Sequence, residues 1–417
     1  MSGLFEDLQW RGLVHQTTDA DLPKLIDNDS LTVYIGFDPT ADSLHVGHLL
    51  QMCTLRRFQQ AGHRPISLAG GGTGMIGDPG GKSEERNLLT REQLTANLEA
   101  IRAQLGRFLD FEAGAMLLDN GEWLWSIPLL DFLRDIGKHF TVNQMVAKES
   151  VRARLEDREQ GISFTEFSYM LLQAYDFLRL FDDHGCRLQM GGSDQWGNIT
   201  MGVDLIRRLR GEHAYGLTSP LVLKADGTKF GKTESGAVWL DPAKTTPYAF
   251  YQYFVRSEDA VVGQYLRYFT WLSHEEIEAL DAATAEHPER REAQRTLARE
   301  VTALVHGADE AAKAEHAAAV LFTDEIASLD EATLLSVLAD APSATVAAGA
   351  SLVDALVATG LSGSKGDARR ALQQKGIYVN GRQQSEDREL ARDDALHDRF
   401  VVLRRGKREL ALVVLTG

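Results

Sequence analysis

The sequence predicts an α/β fold for about the first 220 residues, followed by a helical region and a small C-terminal domain. Runs rich in β-branched and aromatic residues alternate with helical patterns up to about residue 220, which is typical of an α/β domain. The next region, from Pro247 to Phe322, is rich in Ala, Glu and Leu and favours helices. Small residues then dominate from Asp340 to Ala350 and indicate a flexible junction.

These changes of pattern divide the 417 residues into five segments, within the two or three domains that a chain of this length normally forms. We predict an α/β domain over residues 1–220, a linker over 221–246, a helical domain over 247–325, a flexible junction over 326–349 and a terminal domain over 350–417. The terminal domain carries 12 Lys and Arg against 9 Asp and Glu, whereas the whole chain has a net charge of −16. Any contact with nucleic acid should therefore be local and selective.

Composition argues against several classes of protein. Only two cysteines occur, Cys53 and Cys186, and no CxxC pairing is present, which argues against zinc knuckles and disulfide frameworks. The segment from Met1 to Arg11 lacks a hydrophobic signal core, and no run of 18 apolar residues occurs. We expect a soluble cytoplasmic protein.

The first motif is DPTADSLHVGH, from Asp38 to His48. It follows a predicted strand, Leu31 to Phe37, and precedes a helical pattern that begins near His48. A helix N-terminus presents unpaired N–H groups to anions, so this turn can seat a triphosphate. His45 and His48 lie three residues apart and face the same side, although such histidines can also simply cap the helix or pack.

The second motif is KFGKT, from Lys229 to Thr233, in a polar Gly-rich stretch that makes neither a good helix nor a central strand. Two lysines on such a loop can close over a phosphate tail and neutralise its charge. An ordinary solvated loop is the alternative. Taken together, the two motifs predict a site that holds ATP for attack at its α-phosphate.

A third feature is a predominantly apolar helix, predicted from Ser163 to Leu180, with one polar stripe. Tyr169, Gln173 and Asp176 follow at positions i, i+4 and i+7 and therefore share one face. A buried carboxylate needs a donor, so the stripe either lines a ligand pocket or belongs to a structural network.

Two apparent nucleotide motifs lack their context. Gly72, Gly74 and Gly77 satisfy GxGxxG, but the residues that follow do not open a helix. GGKS, from Gly80 to Ser83, would need a glycine where Ile76 stands to complete a P-loop.

HVGH and KFGKT resemble the HIGH and KMSKS signatures of class I aminoacyl-tRNA synthetases. The stretches YIGFDPTADSLHVGH, GGTGMIGDPGGKSEER, GGSDQWGNI and KADGTKFGKTESG resemble bacterial tyrosyl-tRNA synthetases along essentially the whole chain. Departures are mild, since Val46 replaces the usual Ile, and Phe230 and Gly231 replace Met and Ser.

The resemblance implies a Rossmann-type catalytic domain with a parallel sheet, and a homodimer. The implied substrates are L-tyrosine, ATP with Mg²⁺, and tRNA(Tyr), with no tightly bound cofactor and no dedicated metal site. The tyrosine carboxylate would attack the α-phosphate, and the terminal ribose of tRNA would then attack the adenylate, so neither step needs a protein nucleophile. A phenol held between Tyr34 and Asp176 would satisfy both groups, whereas phenylalanine would leave them unpaired.

The resemblance also implies roles for further residues. Around the amino acid it places Asp78, Tyr169 and Gln173 at the ammonium and Gln195 at the carboxylate. The residues implied for catalysis at the phosphates are Thr40, His45, His48, Lys82, Arg86, Lys229 and Lys232. Those implied for binding ATP and the adenylate are Gly36, Asp38, Gly47, Gly192, Asp194 and Thr233.

The segment SLVDALVATGLSGSKGDARRALQQKGIYVNGRQ resembles the S4-like RNA-binding domain, an αα hairpin followed by a small sheet. Gly366 and Asp367 depart from the commoner Ser-Glu. Basic patches are the candidates for RNA contact, and each can equally be a solvated helix face: Arg152, Arg154, Arg207, Arg208, Lys365, Arg369 and Arg370.

Three rival interpretations remain at this point. A tryptophanyl synthetase shares the fold and both signatures but has less use for Tyr34 beside Asp176. A nucleotidyltransferase of the same superfamily has no evident need for the S4-like tail. A non-catalytic RNA-binding paralogue predicts loss of the ATP residues, whereas His45, His48, Lys229 and Lys232 are retained.

Overall fold

The computed structural model describes residues 3–78, 89–148, 151, 152, 155, 161–233 and 236–416. Contacts divide the chain into two units. The first contains residues 1–244 and 258–293, and the second contains residues 245–257 and 294–417.

The first unit is built on a six-stranded sheet in the order β1-β6-β5-β2-β3-β4. Every neighbouring pair is parallel except β1 and β6, so the predicted parallel-sheet α/β fold is confirmed. The chain reverses direction across the sheet between β2 and β5, and ligands of open α/β sheets bind outside the carboxyl ends of strands at such a switch point. The strands are β1 (Gln16–Thr17), β2 (Thr32–Phe37), β3 (Arg64–Ala69), β4 (Met116–Asp119), β5 (Cys186–Gly192) and β6 (Tyr215–Ser219).

Helices flank this sheet. The predicted helix with the polar stripe is confirmed: Ser163 caps it by accepting a hydrogen bond from the Glu166 N–H, and Gly185 ends it in the left-handed conformation with φ 63°. The helices of this unit in chain order are α1 (Leu4–Trp10), α2 (Leu22–Asn28), α3 (Leu49–Gln60), α4 (Arg91–Leu105), α5 (Gly121–Leu124), α6 (Leu129–Asp131), α7 (Val142–Val146), α8 (Phe164–His184) and α9 (Trp196–Arg210).

The segment predicted as a linker, 221–246, differs from that prediction because its residues up to 244 belong to the first unit. It contains a two-stranded hairpin, β7 (Lys232–Thr233) and β8 (Gly236–Ala237). The backbone N–H of Val46 bonds to the carbonyl of Val238 at 2.9 Å, so backbone pairing holds the segment against the turn that follows β2.

The predicted helical domain, 247–325, is also divided. Its helices are α10 (Pro247–Val255), α11 (Asp259–Phe269), α12 (His274–Glu286), α13 (Glu292–His306) and α14 (Ala308–Val320). Helices α11 and α12 lie in the first unit, where the buried Arg57 of α3 donates to the carbonyl of Thr270 at 2.5 Å. Composition alone shows that these segments are helical but not which core each helix joins.

The second unit contains a five-stranded sheet in the order β11-β10-β12-β13-β9. Alternate residues of β12 enter two different cores: Val401 and Leu403 pack with the last two helices, whereas Phe400 and Val402 pack with residues of α14 and α15. Both faces of the sheet are therefore covered. The elements are α15 (Glu331–Val337), β9 (Ser343–Ala347), α16 (Leu352–Ala358), α17 (Lys365–Gln373), β10 (Ile377–Val379), β11 (Arg382–Gln384), β12 (Phe400–Arg405) and β13 (Glu409–Thr416).

The flexible junction predicted over 326–349 is wrong, since α15 lies in its first half and β9 in its second half pairs in parallel with β13. Small residues suggested a linker, but an edge strand requires only backbone hydrogen bonds along one side. Val346 also packs against the core of the terminal domain. Among the residues that the structure describes, no helix combines the length and apolar character needed to cross a membrane.

Candidate active site

Asp176 lies at the centre of a buried polar network. Its side chain is 2% exposed, and its two oxygens accept hydrogen bonds from Asn120 Nδ2 at 2.8 Å and Trp123 Nε1 at 2.7 Å. Burial raises the pKa of Asp176 to about 7, against the opposite effect of these two donors. Sequence reasoning found Asp176 but missed Asn120 and Trp123, whose only signal is that they follow the carboxyl end of β4.

Tyr34 faces the same region from β2. It is 1% exposed, and its ring packs against Phe177 with centroids 5.3 Å apart. Burial, and then the charge of Asp176, hold the pKa of Tyr34 well above its ordinary value. Within the described part of the chain, the Tyr34 hydroxyl has no hydrogen-bond partner. A buried hydroxyl left in this state costs free energy, which a ligand that bonds to it would recover.

The network continues from Asn120 to the histidine turn. Asn120 Nδ2 donates to Thr73 Oγ1 at 2.9 Å, and that hydroxyl donates to Asp38 Oδ1 at 2.9 Å. Tyr169 donates its hydroxyl proton to the other oxygen of Asp38 at 3.0 Å. Asp38, which the resemblance places with the nucleotide, is therefore bonded directly to a residue placed with the amino acid. A Cβ added at Gly70 would lie 2.1 Å from Asp38 Oδ1, so only glycine fits there.

A second polar cluster brings together three other predicted residues. Gln195 donates from Nε2 to Asp78 Oδ2 at 2.5 Å. Asn198 Nδ2 donates to Gln173 Oε1 at 3.0 Å and to Gln195 Oε1 at 3.3 Å. Asn198 was missed because nothing in the sequence separates it from other polar residues of α9. It joins the α8 stripe to the turn after β5.

The two histidines of the HVGH turn have defined ring orientations. His45 Nδ1 accepts from the Gly47 N–H at 3.0 Å, and His48 Nδ1 accepts from the His45 N–H at 3.3 Å. With Nδ1 accepting, the proton of a neutral ring lies on Nε2. Burial first, and then His45, lower the pKa of His48 to about 3, so His48 is neutral near pH 7.

The lysine loop lies directly against the histidine turn. Gly231 has φ 84°, and a Cβ added to it would lie 2.8 Å from Val46 Cγ2 and 3.2 Å from the Gly47 nitrogen. Burial and the charge of Asp78 raise the pKa of Asp194, while Lys229 opposes that rise. Lys229 therefore interacts with the turn after β5. The carboxyl ends of β2 and β5 and the KFGKT loop border one cleft.

For the other predicted site residues, the structure gives the position in the fold but fewer side-chain contacts. Thr40 and Gly36 are exposed at the end of β2, and Gly192 closes β5, where an added Cβ would lie 2.7 Å from Asp194 Oδ1. Only the backbone of Lys232 and Thr233, in β7, is described. Lys82, Arg86 and Arg154 lie outside the described residues.

The candidate RNA-contacting residues that the structure describes are exposed, and most of them are also paired with carboxylates. Arg207 and Arg208 both bond to Asp204 of their own helix, at 2.6 and 2.7 Å. In the second unit, Lys365 pairs with Asp354 at 2.6 Å, and Arg370 lies 3.8 Å from Asp367. Arg152 and Arg369 are also exposed.

Comparison with known proteins agrees with this geometry. A family model described as tRNA synthetases class I (W and Y) matches residues 27–323, and one described as the tyrosine–tRNA ligase SYY-like C-terminal domain matches residues 334–413. The chain is 57% identical to a tyrosine–tRNA ligase of Roseiflexus castenholzii, with 100% of both chains covered. It is 55% identical to a tyrosine–tRNA ligase of Geobacillus stearothermophilus, covering 98% of this chain and 99% of the relative.

Solved structures give the same assignment for the part they cover. A C-terminally truncated mitochondrial tyrosyl-tRNA synthetase of Aspergillus nidulans superposes with a TM-score of 0.69 at 33% identity, over 77% of this chain and 95% of that one. A tryptophanyl-tRNA synthetase of Encephalitozoon cuniculi shares the fold at 15% identity with a TM-score of 0.56. The chain therefore belongs to the tyrosine–tRNA ligase family of class I tRNA synthetases.

Proposed function

We propose that the chain activates L-tyrosine with ATP and transfers the tyrosyl group to the 3′ end of tRNA(Tyr). The observation that carries this proposal is the Tyr34 hydroxyl, buried without a partner in the described structure and electrostatically coupled to Asp176. A tyrosine side chain supplies one hydroxyl that donates to Asp176 and accepts from Tyr34. Phenylalanine and tryptophan offer no such group at that position and would leave both protein groups unsatisfied.

The Asp78 cluster suits the other end of the amino acid. Asp78 is a carboxylate beside two amides, which matches an ammonium that needs charge compensation and acceptors. We assign Asp78, Tyr169 and Gln173 to the ammonium, and Gln195, bonded to Asp78, to the carboxylate. This places the tyrosine carboxylate near the turn after β5, at the switch point of the sheet.

For the first step, we assign the phosphates to the histidine turn and the lysine loop. The Nε2–H groups of His45 and His48, the Thr40 hydroxyl, and Lys229 and Lys232 supply donors and positive charge, with Lys82 and Arg86 on the opposite side. The tyrosine carboxylate attacks the α-phosphorus and pyrophosphate leaves, accompanied by the Mg²⁺ that enters with ATP. Gly36, Asp38, Gly47, Gly192, Asp194 and Thr233 would hold the rest of the nucleotide.

In the second step, a ribose hydroxyl of tRNA attacks the tyrosyl carbonyl carbon and AMP leaves. We assign the S4-like domain, over 350–417, to tRNA binding through Lys365, Arg369 and Arg370, and the basic patches Arg152 with Arg154 and Arg207 with Arg208 to further tRNA contacts. Because these partners serve protein synthesis, we place the reaction in the cytoplasm.

A homodimer accounts for an exposed apolar surface of the first unit. Phe164 is 78% exposed, and the neighbouring segments expose Leu129 by 70% and Leu130 by 76%. Large apolar side chains exposed to this degree are typical of an interaction surface. We propose that a second copy of the chain covers it, which Phe164→Asp should disrupt in a measurement of molar mass.

The proposed function is tested by ATP–pyrophosphate exchange with L-tyrosine, L-phenylalanine and L-tryptophan, each supplied separately. Exchange that depends on tyrosine is expected, followed by tyrosine transfer to tRNA(Tyr). Faster exchange with tryptophan would favour the tryptophanyl enzyme instead. Absence of exchange with all three would favour the non-catalytic RNA-binding paralogue.

A further inference from the structure

A short extended segment, residues 238–240, runs beside the HVGH turn. The Val46 N–H bonds to the Val238 carbonyl at 2.9 Å, and the Leu240 N–H bonds to the Leu44 carbonyl at 2.9 Å. This places Trp239 directly opposite His45 in an antiparallel bridge. Residues opposite each other across such a pair bring their side chains into contact.

The rings of Trp239 and His45 meet edge to face, with centroids 5.9 Å apart and planes at 71°. On its other side His45 lies 4.1 Å from the His48 ring, tilted by 38°. A Cβ at Gly47 would lie 2.6 Å from His45 Cε1, so the ring packs against the turn in space that a side chain at position 47 would fill. His45 is therefore confined by the turn, by His48 and by Trp239.

Trp239 is itself held from the solvent side. Lys244 Nζ lies 5.4 Å from the centre of the indole, and the same nitrogen pairs with Asp42 at 2.7 Å. This pair is partly exposed and adds little to stability. The side chains behind His45 therefore pack in sequence: Trp239 contacts His45, Lys244 lies against Trp239, and Asp42 pairs with Lys244.

We propose that Trp239 is a positioning residue for adenylate formation, which orients the His45 imidazole so that its Nε2–H meets the triphosphate. The proposal rests on the function proposed above, because it requires His45 to act on ATP. Trp239 would act through its side chain on His45, because the backbone bonds that hold this segment to the turn belong to Val238 and Leu240 and survive substitution of Trp239. Misplacing a transition-state donor by about 1 Å can cost up to about 100-fold in rate.

A double-mutant cycle between Trp239→Leu and His45→Asn tests the proposal, with ATP–pyrophosphate exchange as the main readout. Trp239→Leu is expected to lower kcat for exchange about 10-fold, with the KM for tyrosine and the transfer of tyrosine from preformed adenylate to tRNA unchanged. In the His45→Asn background, Trp239→Leu should lower kcat for exchange by less than about twofold. Trp239→Phe, which restores an aromatic edge, should recover most of the activity.

An equal loss in both backgrounds would overturn the proposal, as would a parallel loss in the transfer step or a failure of Trp239→Phe to recover activity. Trp239→Gln repeats the cycle if the leucine variant does not fold. The starting chain, assayed in parallel, separates the two hypotheses: tyrosine-dependent exchange by that chain supports the proposed function whatever Trp239 does.

Discussion

Asn120 donates from Nδ2 to Asp176 Oδ2 across 2.8 Å, joining the end of β4 to the middle of α8. Its carbonyl oxygen accepts from the Gly72 N–H at 2.8 Å, which fixes which way the amide points. The Asp176 carboxylate is therefore oriented by Asn120, whose own amide is fixed by a hydrogen bond from the backbone. This is the arrangement that a selective hydroxyl-binding site requires.

Asn120→Ala should lower kcat/KM for tyrosine activation by about 10-fold or more, because Asp176 loses a donor worth about 1–3 kcal/mol. The KM for ATP should stay within about twofold, since the side-chain bonds that Asn120 makes to described residues go to Thr73, Gly72 and Asp176 and not to any residue assigned to the phosphates. Asn28→Ala, an exposed asparagine that donates to a backbone carbonyl of its own helix, is the control. If the two substitutions lowered kcat/KM for tyrosine equally, the proposed role of Asn120 in orienting Asp176 would be contradicted.

Tyr34→Phe should leave thermal stability unchanged or slightly raised, because the hydroxyl it removes has no partner among the described residues. The substitution should, however, reduce the selectivity for tyrosine. The ratio of kcat/KM for tyrosine to that for phenylalanine should fall about 10-fold as one of two hydroxyl-reading groups disappears. An unchanged ratio, measured by pyrophosphate exchange, would remove Tyr34 from the specificity argument.

The pKa of Asp176 predicts a pH dependence of stability. An unfolded aspartate ionises near its ordinary value of 3.8, whereas folded Asp176 ionises near 7, mainly because it is buried. Between these values the folded chain keeps a proton that the unfolded chain has lost. The contribution of Asp176 to the unfolding free energy therefore falls as pH rises from about 4 to 7 and is constant above.

Thermal unfolding of the chain and of Asp176→Asn, followed from pH 4.5 to 8, measures this contribution as a difference. The described groups that interact with Asp176 are Asn120, Trp123, Tyr34, Asp38, Asp119, Tyr169 and Tyr175, and all remain in the variant. The variant should gain relative stability as pH rises through the window. A difference that does not vary with pH would show that Asp176 ionises normally.

Gly231→Ala should impair adenylate formation by pushing the lysine loop away from the histidine turn. The substitution costs about 1–2 kcal/mol of backbone strain at φ 84° and adds a clash with Val46 at 2.8 Å. We expect the KM for ATP to rise at least about 10-fold, with the KM for tyrosine unchanged.

Gly227→Ala is a matched control for this effect. Gly227 lies in the same loop with φ 79°, but no described atom lies within 4 Å of its added Cβ. It therefore imposes similar strain without the clash. If both variants weaken ATP use equally, strain in the loop rather than its contact with the HVGH turn is responsible.

Much of the fold could be predicted because its signals are local. The helix with the polar stripe, predicted from Ser163 to Leu180, runs from Phe164 to His184, four residues further, to a left-handed Gly185. The strand before Asp38 is rich in β-branched and aromatic residues, and β5 alternates Cys186, Leu188 and Met190 with Arg187 and Gln189; both patterns are typical of strands. The HVGH and KFGKT motifs met in one cleft because the site lies at the switch point of the sheet.

The rest depends on contacts between distant segments, which periodicity does not encode. Thr73, Asn120 and Trp123 look like ordinary turn or helix residues until β3 and β4 bring them next to Asp176. Likewise, residues 343–347 read as a linker because their side chains are small, and only pairing with β13 makes them a strand. The division of the helical region between two cores has the same origin.

The central claim is that Asp176 and Tyr34 choose the amino acid by its hydroxyl, and Asp176→Ala tests it most directly. Pyrophosphate exchange is measured for this variant and for the starting chain with tyrosine and with phenylalanine. The account predicts that kcat/KM for tyrosine falls by about 100-fold while that for phenylalanine changes by less than about threefold. A fall of the same size for both amino acids, or tyrosine activation that is unaffected, would contradict it.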